Sequence, residues 1–131
     1  MLGKGYKVHK PSEGAVLITG STRGLGYDMA TRFYEKGYTV LGTVRKEKDY
    51  NRWCDIGKSE AGGNIVPIYL DTSVPEKVDQ AVKTVKEFLA KNKLKLTAVI
   101  CNAGVVNLAP FEADEMSTFK WIFSTKVEGH I

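Results

Sequence analysis

One stretch constrains this chain more than any other. In Thr19-Gly20-Ser21-Thr22-Arg23-Gly24-Leu25-Gly26, three glycines fall between an apolar run and an amphipathic segment. The run before it, Ala15-Val16-Leu17-Ile18-Thr19, is short and bounded by Gly14 and Gly20, the pattern of a strand buried on both faces. After it, Leu25, Met29, Ala30, Phe33 and Tyr34 recur at helical spacing between Gly24 and Lys36, and Gly37 supplies a stop signal. Each glycine in such a strand-to-helix turn has a physical task. Gly20 permits the sharp exit from the strand, while Gly24 and Gly26 leave out side chains where a pyrophosphate must approach and where helix packs on strand. Backbone amides at the helix start, aided by its dipole, are suited to holding phosphates. An ordinary glycine-rich turn is the alternative, and placement between a buried strand and an amphipathic helix weighs against it.

The rest of the chain repeats the alternation. Tyr38–Val44 has the β-branched content of a second strand, followed by the basic turn Arg45-Lys46-Glu47-Lys48 and a weaker helix over Asp49–Ser59. Asn64–Leu70 resembles a third strand, with Pro67 arguing for an edge position because it lacks a ladder donor. Val74–Lys91 carries an apolar stripe at Val78, Ala81, Val82, Val85, Phe88 and Leu89, and Pro75 is allowed in its first turn. Leu96–Cys101 is the fourth strand, and Met116, Phe119, Ile122 and Phe123 mark a last helical segment between about Glu112 and Ile131. Strands alternating with helices imply parallel pairing through crossovers, hence an α/β, Rossmann-type open parallel sheet with helices on both faces. In the order 3-2-1-4 the crevice between strands 1 and 4 is the topological switch point, where ligand belongs.

The T-G-x-x-x-G-x-G spacing, rather than G-x-G-x-x-G, resembles the short-chain dehydrogenase/reductase family. Asn102-Ala103-Gly104 after strand 4 matches that family's N-A-G motif, and Asp71 after strand 3, with Thr72 beside it, matches its adenine-ring aspartate. Together the motifs span Ala15 to about Gly129. The resemblance implies that Asn102 stabilises the central sheet and that the Asn102–Gly104 backbone lies along the nicotinamide ribose. Asp71 could equally cap the helix starting near Val74. The implied cofactor residues are Gly20, Ser21, Thr22, Arg23, Gly24, Leu25, Gly26, Arg45, Asp71, Thr72, Asn102, Ala103 and Gly104. Charge argues for NADP over NAD. The end of strand 2 offers Thr43 and Val44 and then Arg45 and Lys46, where an NAD-preferring site places an acid, and Arg23 is a second cation in reach of a 2′-phosphate. A solvated turn at Arg45 and Lys46 is the alternative.

The family's activity is hydride transfer between alcohol and carbonyl, with a serine after strand 4's successor and Y-x-x-x-K on the following helix. The expectation is therefore that residues 1–131 form an NAD(P)-binding Rossmann domain cut before strand 5, with no catalytic residue in this chain. The one Y-x-x-x-K match, Tyr6 to Lys10, precedes the first strand, on the side of the sheet away from the cleft, and Pro11 follows it. Lys126 stands where the family's V-N-x-x-G-like pattern has asparagine, in Thr125-Lys126-Val127-Glu128-Gly129. It is a change in the proton relay, a shift in alignment by a residue or two, a sign of a non-standard catalyst, or a solvent-facing side chain. A non-catalytic dinucleotide-binding or interaction module is the rival function.

Composition narrows the setting. A net charge of +4 from 19 basic and 15 acidic residues is mild, and the lysines between Lys83 and Lys95 surround a helix end, so nucleic acid is not an expected partner. Cys54 and Cys101 are far apart, and Cys101 ends an apolar run typical of a buried strand, which argues against a disulfide. His9 and His130 form no metal-ligand spacing. Leu96–Ala109 is too short and too interrupted for a membrane span, and residues 1–14 lack a secretory core. The expected partners are the dinucleotide and a small alcohol or carbonyl, the expected setting is cytoplasmic, and a homo-oligomer is open. Strand 4 should expose an unpaired edge.

Overall fold

A computed structural model describes residues 9–108 and 110–130, which leaves Tyr6, Lys7 and Val8 of the Tyr6–Lys10 match outside the described residues. Strands β1 (Gly14–Ile18), β2 (Thr39–Val44), β3 (Asn64–Tyr69) and β4 (Lys95–Ile100) alternate with helices α1 (Gly24–Glu35), α2 (Glu47–Cys54), α3 (Pro75–Asn92) and α4 (Met116–Lys126). All paired strands run parallel in the order β3-β2-β1-β4, the order expected from the alternation. β3 is an edge strand, as Pro67 required. β1 and β4 slip by one residue near Ala15, and the Thr97 hydroxyl, in the displaced stretch of β4, donates to the Ala15 carbonyl at 3.0 Å.

Alternate residues of the central strands feed two cores. Val16, Ile18, Val40 and Val44 pack with Ala30 of α1 and Trp53 of α2, whereas Ala15 and Leu41 pack with Ile68 and with Ala81 and Val85 of α3. Burial on both faces explains why β1 reads as an apolar run. Of the expected α3 stripe, Ala81 and Val85 are buried and Val82 is exposed.

Three expectations need correction. The second helix covers Glu47–Cys54, not Asp49–Ser59. Lys46 is extended, Glu47 and Asp49 suit the first turn, and Gly57, at φ +73°, takes the chain out of the helix. Ser59 instead donates to the Tyr34 carbonyl and accepts from the Gly63 amide, which fixes the approach to β3. The final helical segment is broken, with 3-10 turns at Phe111–Ala113 and Glu128–His130 flanking α4. Cys101 is exposed rather than buried, because β4 is the outer strand beside β1, and both cysteines are free thiols.

Among the described residues β4 pairs with β1 alone, and Leu96 and Val99 on it are 42% and 52% exposed. α4 likewise exposes Met116, Phe119 and Phe123, the last two stacked with centroids 6.2 Å apart. Burial therefore falls off from the centre of the sheet to this edge. Leu41→Ala, at a fully buried site, is expected to cost about 2–5 kcal/mol in urea unfolding, and Leu96→Ala less than about 1 kcal/mol; equal losses would contradict this gradient.

Candidate functional site

The chain leaves β1 at Thr19, where the Thr19 and Gly20 carbonyls need partners beyond the strand. Asn102, just past β4, supplies them. Its Nδ2 donates to the carbonyls of Thr19 and Gly20 at 3.2 and 3.1 Å, and its amide and that of Ala103 each donate to Thr19 Oγ1 at 2.9 Å. The Thr19 amide in turn donates to the Ile100 carbonyl at 3.0 Å. Asn102 thus clamps the ends of two neighbouring strands, the role implied for it by its motif.

The glycines follow from this clamp. Gly20 has φ +67°, and a Cβ there would come within 2.9 Å of Ala103 Cα. A Cβ on Gly26 would overlap the Gly20 carbonyl and sit 2.5 Å from Asn102 Nδ2. Gly24 differs: its φ is +57°, yet a Cβ would meet nothing within 4 Å. Its surroundings are open, which is the arrangement a phosphate approaching the start of α1 needs. Arg23, the extended residue before α1, makes no side-chain cap, and the first turn carries no acid.

β2 closes the other side of the loop. The Gly20 amide donates to Thr43 Oγ1 at 3.0 Å, and Ser21 Oγ donates to the Thr43 carbonyl at 3.1 Å. Ser21 is fully buried and packed over Gly42, so its side chain is structural.

A cleft of about 190 Å³ opens over the carboxyl ends of all four strands. Gly20, Thr22, Arg23, Arg45, Asp71, Thr72, Asn102, Ala103 and Gly104, all expected site residues, line it. Ser21, Gly24, Leu25 and Gly26 do not, and Leu25 is 76% exposed. Thr43, Leu70, Val105 and Thr125 also line the cleft without having been singled out as cofactor residues. Only Thr43 had a sequence cue, its place at the end of a strand beside the glycine loop.

Asp71 does not cap α3, whose N-cap, Val74, has no side-chain cap bond. Its carboxylate accepts from the Ser73 amide at 3.0 Å and the Ser73 hydroxyl at 2.6 Å. Partial burial pushes its pKa up, but those two bonds and the nearby Arg45 charge outweigh it, leaving the group below its ordinary value. Thr72 is buried and donates to the Thr125 carbonyl at 3.3 Å, joining the end of β3 to α4. A Cβ on Gly129 would overlap the Thr72 carbonyl, so this close approach accounts for the glycine. Lys126 is exposed, and its Cε would lie 3.3 Å from a Cβ on Gly104. It borders a second, more open cleft with Cys101 and residues 102–106.

A parallel 3-2-1-4 sheet, with a glycine turn after its first strand and a cleft at the switch point, defines a dinucleotide-binding fold. The chain belongs to the short chain dehydrogenase family, whose model matches residues 14–131. It is 27% identical over 122 residues to mouse mitochondrial D-beta-hydroxybutyrate dehydrogenase, covering 89% of this chain and 34% of that protein. An oxidoreductase of Botryotinia fuckeliana is 33% identical over 103 residues, covering 78% of this chain and 35% of its own length. The chain thus spans about a third of these curated relatives. A short-chain type dehydrogenase/reductase from Mycobacterium marinum superposes with a TM-score of 0.77 at 26% identity, over 92% of this chain and 47% of that structure. L-sorbose reductase from Gluconobacter frateurii, solved with NADPH and L-sorbose, gives 0.78 at 20% identity, over 92% and 44%. Among the described residues no helix is long and apolar enough to cross a membrane.

Two outcomes follow. Asn102→Leu, which leaves the Thr19 and Gly20 carbonyls unpaired, is expected to cost about 1–3 kcal/mol in urea unfolding, and no loss would refute the clamp. Asp71 has a folded pKa below its reference of 3.8, so its stabilisation is complete above that reference and is lost as pH falls through the lower folded value. The stability gap between the wild-type chain and Asp71→Asn should therefore narrow as pH falls below that reference of 3.8. A gap that widens on acidification would contradict that direction.

Proposed function

We propose that this chain is the NADP(H)-binding part of an oxidoreductase that interconverts a small alcohol and a carbonyl compound. The observation that carries the cofactor choice is the charge on the cleft wall. Arg23 from the glycine turn and Arg45 from the end of β2 line one cleft with Thr43, and the sole acid among the lining residues, Asp71, comes from the end of β3. An acidic side chain at the end of β2 would accept from a ribose 2′-hydroxyl; two guanidinium groups instead favour a 2′-phosphate. The NADPH bound to the sorbose reductase of similar fold supports the same choice.

The parts then divide by chemistry. The open backbone at Gly24 and the start of α1 would receive the pyrophosphate, Asp71 and Leu70 would flank the adenine, and Asn102–Val105 would carry the nicotinamide end. When bound, the nicotinamide supplies or accepts the hydride. The chain's own residues hold and orient it, and the family's serine and Tyr-x-x-x-Lys pair are assigned to residues outside 1–131. Family membership favours this over a non-catalytic interaction module. A cytoplasmic setting belongs to the same proposal, and the exposed face of α4 is where a homo-oligomer would form.

Calorimetric titration of the 131-residue chain tests the cofactor choice. NADPH should bind more tightly than NADH, and Arg45→Ala should weaken NADPH about tenfold with little effect on NADH, as expected for the loss of one charge-assisted contact. Equal affinities, with Arg45→Ala silent, would make Arg45 and Lys46 a solvated turn.

A further inference from the structure

Arg52, in the last turn of α2, lies outside every motif and does not line the cleft. Its Nη2 donates to the Thr22 carbonyl at 2.6 Å, across 30 residues of sequence. Its guanidinium carbon is 5.3 Å from the centre of the Tyr27 ring and 5.4 Å from that of Trp53. The two rings stack on each other at 5.3 Å. Trp53 is buried in the core shared by α1 and α2, and Tyr27 sits in the first turn of α1. The exposed arginine is therefore held beside a fixed pair of aromatic rings, and these cation–π contacts help keep it where it donates.

The bond falls on a consequential carbonyl. Thr22 and Arg23 both line the cleft, and no peptide bond in the described chain is cis. In a trans peptide the Thr22 carbonyl and the Arg23 amide point in opposite directions. The geometry points to Arg52 as a positioning residue for the glycine turn. By drawing the Thr22 carbonyl towards α2, it aims the Arg23 amide at the cleft and keeps the negative end of that peptide away from an incoming pyrophosphate. It acts through the loop and does not touch the cofactor. The inference rests on the dinucleotide reading of the cleft, and it assigns Arg52 a share in binding common to NADH and NADPH, unlike the share of Arg45.

Two measurements on the 131-residue chain test it. In the ligand-free chain, amide hydrogen exchange over residues 20–26 should speed up about tenfold in Arg52→Ala and by an intermediate factor in Arg52→Lys, which keeps the charge without the planar guanidinium. In titrations, Arg52→Ala should weaken NADH and NADPH by the same factor of about ten, leaving their ratio unchanged. Arg52→Gln, which keeps a donor and much of the apolar stem, carries both tests if the alanine variant unfolds. Unchanged loop exchange, or affinities equal to wild type, overturns the role of Arg52 alone. Loss confined to NADPH overturns it in favour of direct contact with the 2′-phosphate. A wild-type chain that binds neither nucleotide overturns the dinucleotide reading, and this proposal with it.

Discussion

The site depends on how one asparagine resolves a conflict at the end of β1. There the chain must leave the sheet so that the glycine turn can begin, and leaving strands polar backbone groups in a half-buried place. Asn102 brings a neutral amide to the Thr19 and Gly20 carbonyls while its own amide and that of Ala103 meet the Thr19 hydroxyl. The turn held by this contact excludes a side chain at Gly26, because a Cβ there would overlap the Gly20 carbonyl and crowd the Asn102 amide. Glycine turn and post-β4 motif are thus one structure in two pieces of sequence. Their joint presence says more than either alone.

Around that clamp the loop is braced from two further directions, by Thr43 at the end of β2 and by Arg52 from α2. The remaining wall of the cleft is made differently. It depends on α4, tied to the end of β3 by the Thr72 hydroxyl and the close packing of Gly129. The cleft therefore joins a rigid half, built from the doubly covered central strands, to a half whose helix and outer strand leave apolar side chains exposed. Preorganisation lies on the side of the glycine turn, where any ligand would meet fixed amides.

What could be read from sequence divides along the same line. β1 was legible because burial on both faces writes an apolar run, β2 through its β-branched residues, and Pro67 correctly marked β3 as an edge. Asp71 and Asn102 were legible through spacing, although Asp71 turned out to close a local turn with Ser73 rather than to cap α3. The short α2 was misplaced because its one buried residue, Trp53, gives no periodicity over eight residues. The structural role of Ser21 and the contacts of Thr43 and Arg52 were illegible for a different reason. Their partners lie 22 to 30 residues away, and nothing local records such a pairing. The break after α4 has the same origin, since the contact between Thr72 and Thr125 spans 53 residues.

The central claim is that the cleft over the carboxyl ends of the four strands receives a dinucleotide with its phosphates at the glycine turn. Titrating the ¹⁵N-labelled chain with NADPH and following its amide resonances tests this residue by residue. Shifts concentrated at Gly20–Gly26, Arg45, Asp71–Thr72 and Asn102–Val105 are the predicted result. Shifts gathered instead on α4 and the outer edge of β4, or none at saturating nucleotide, would contradict it.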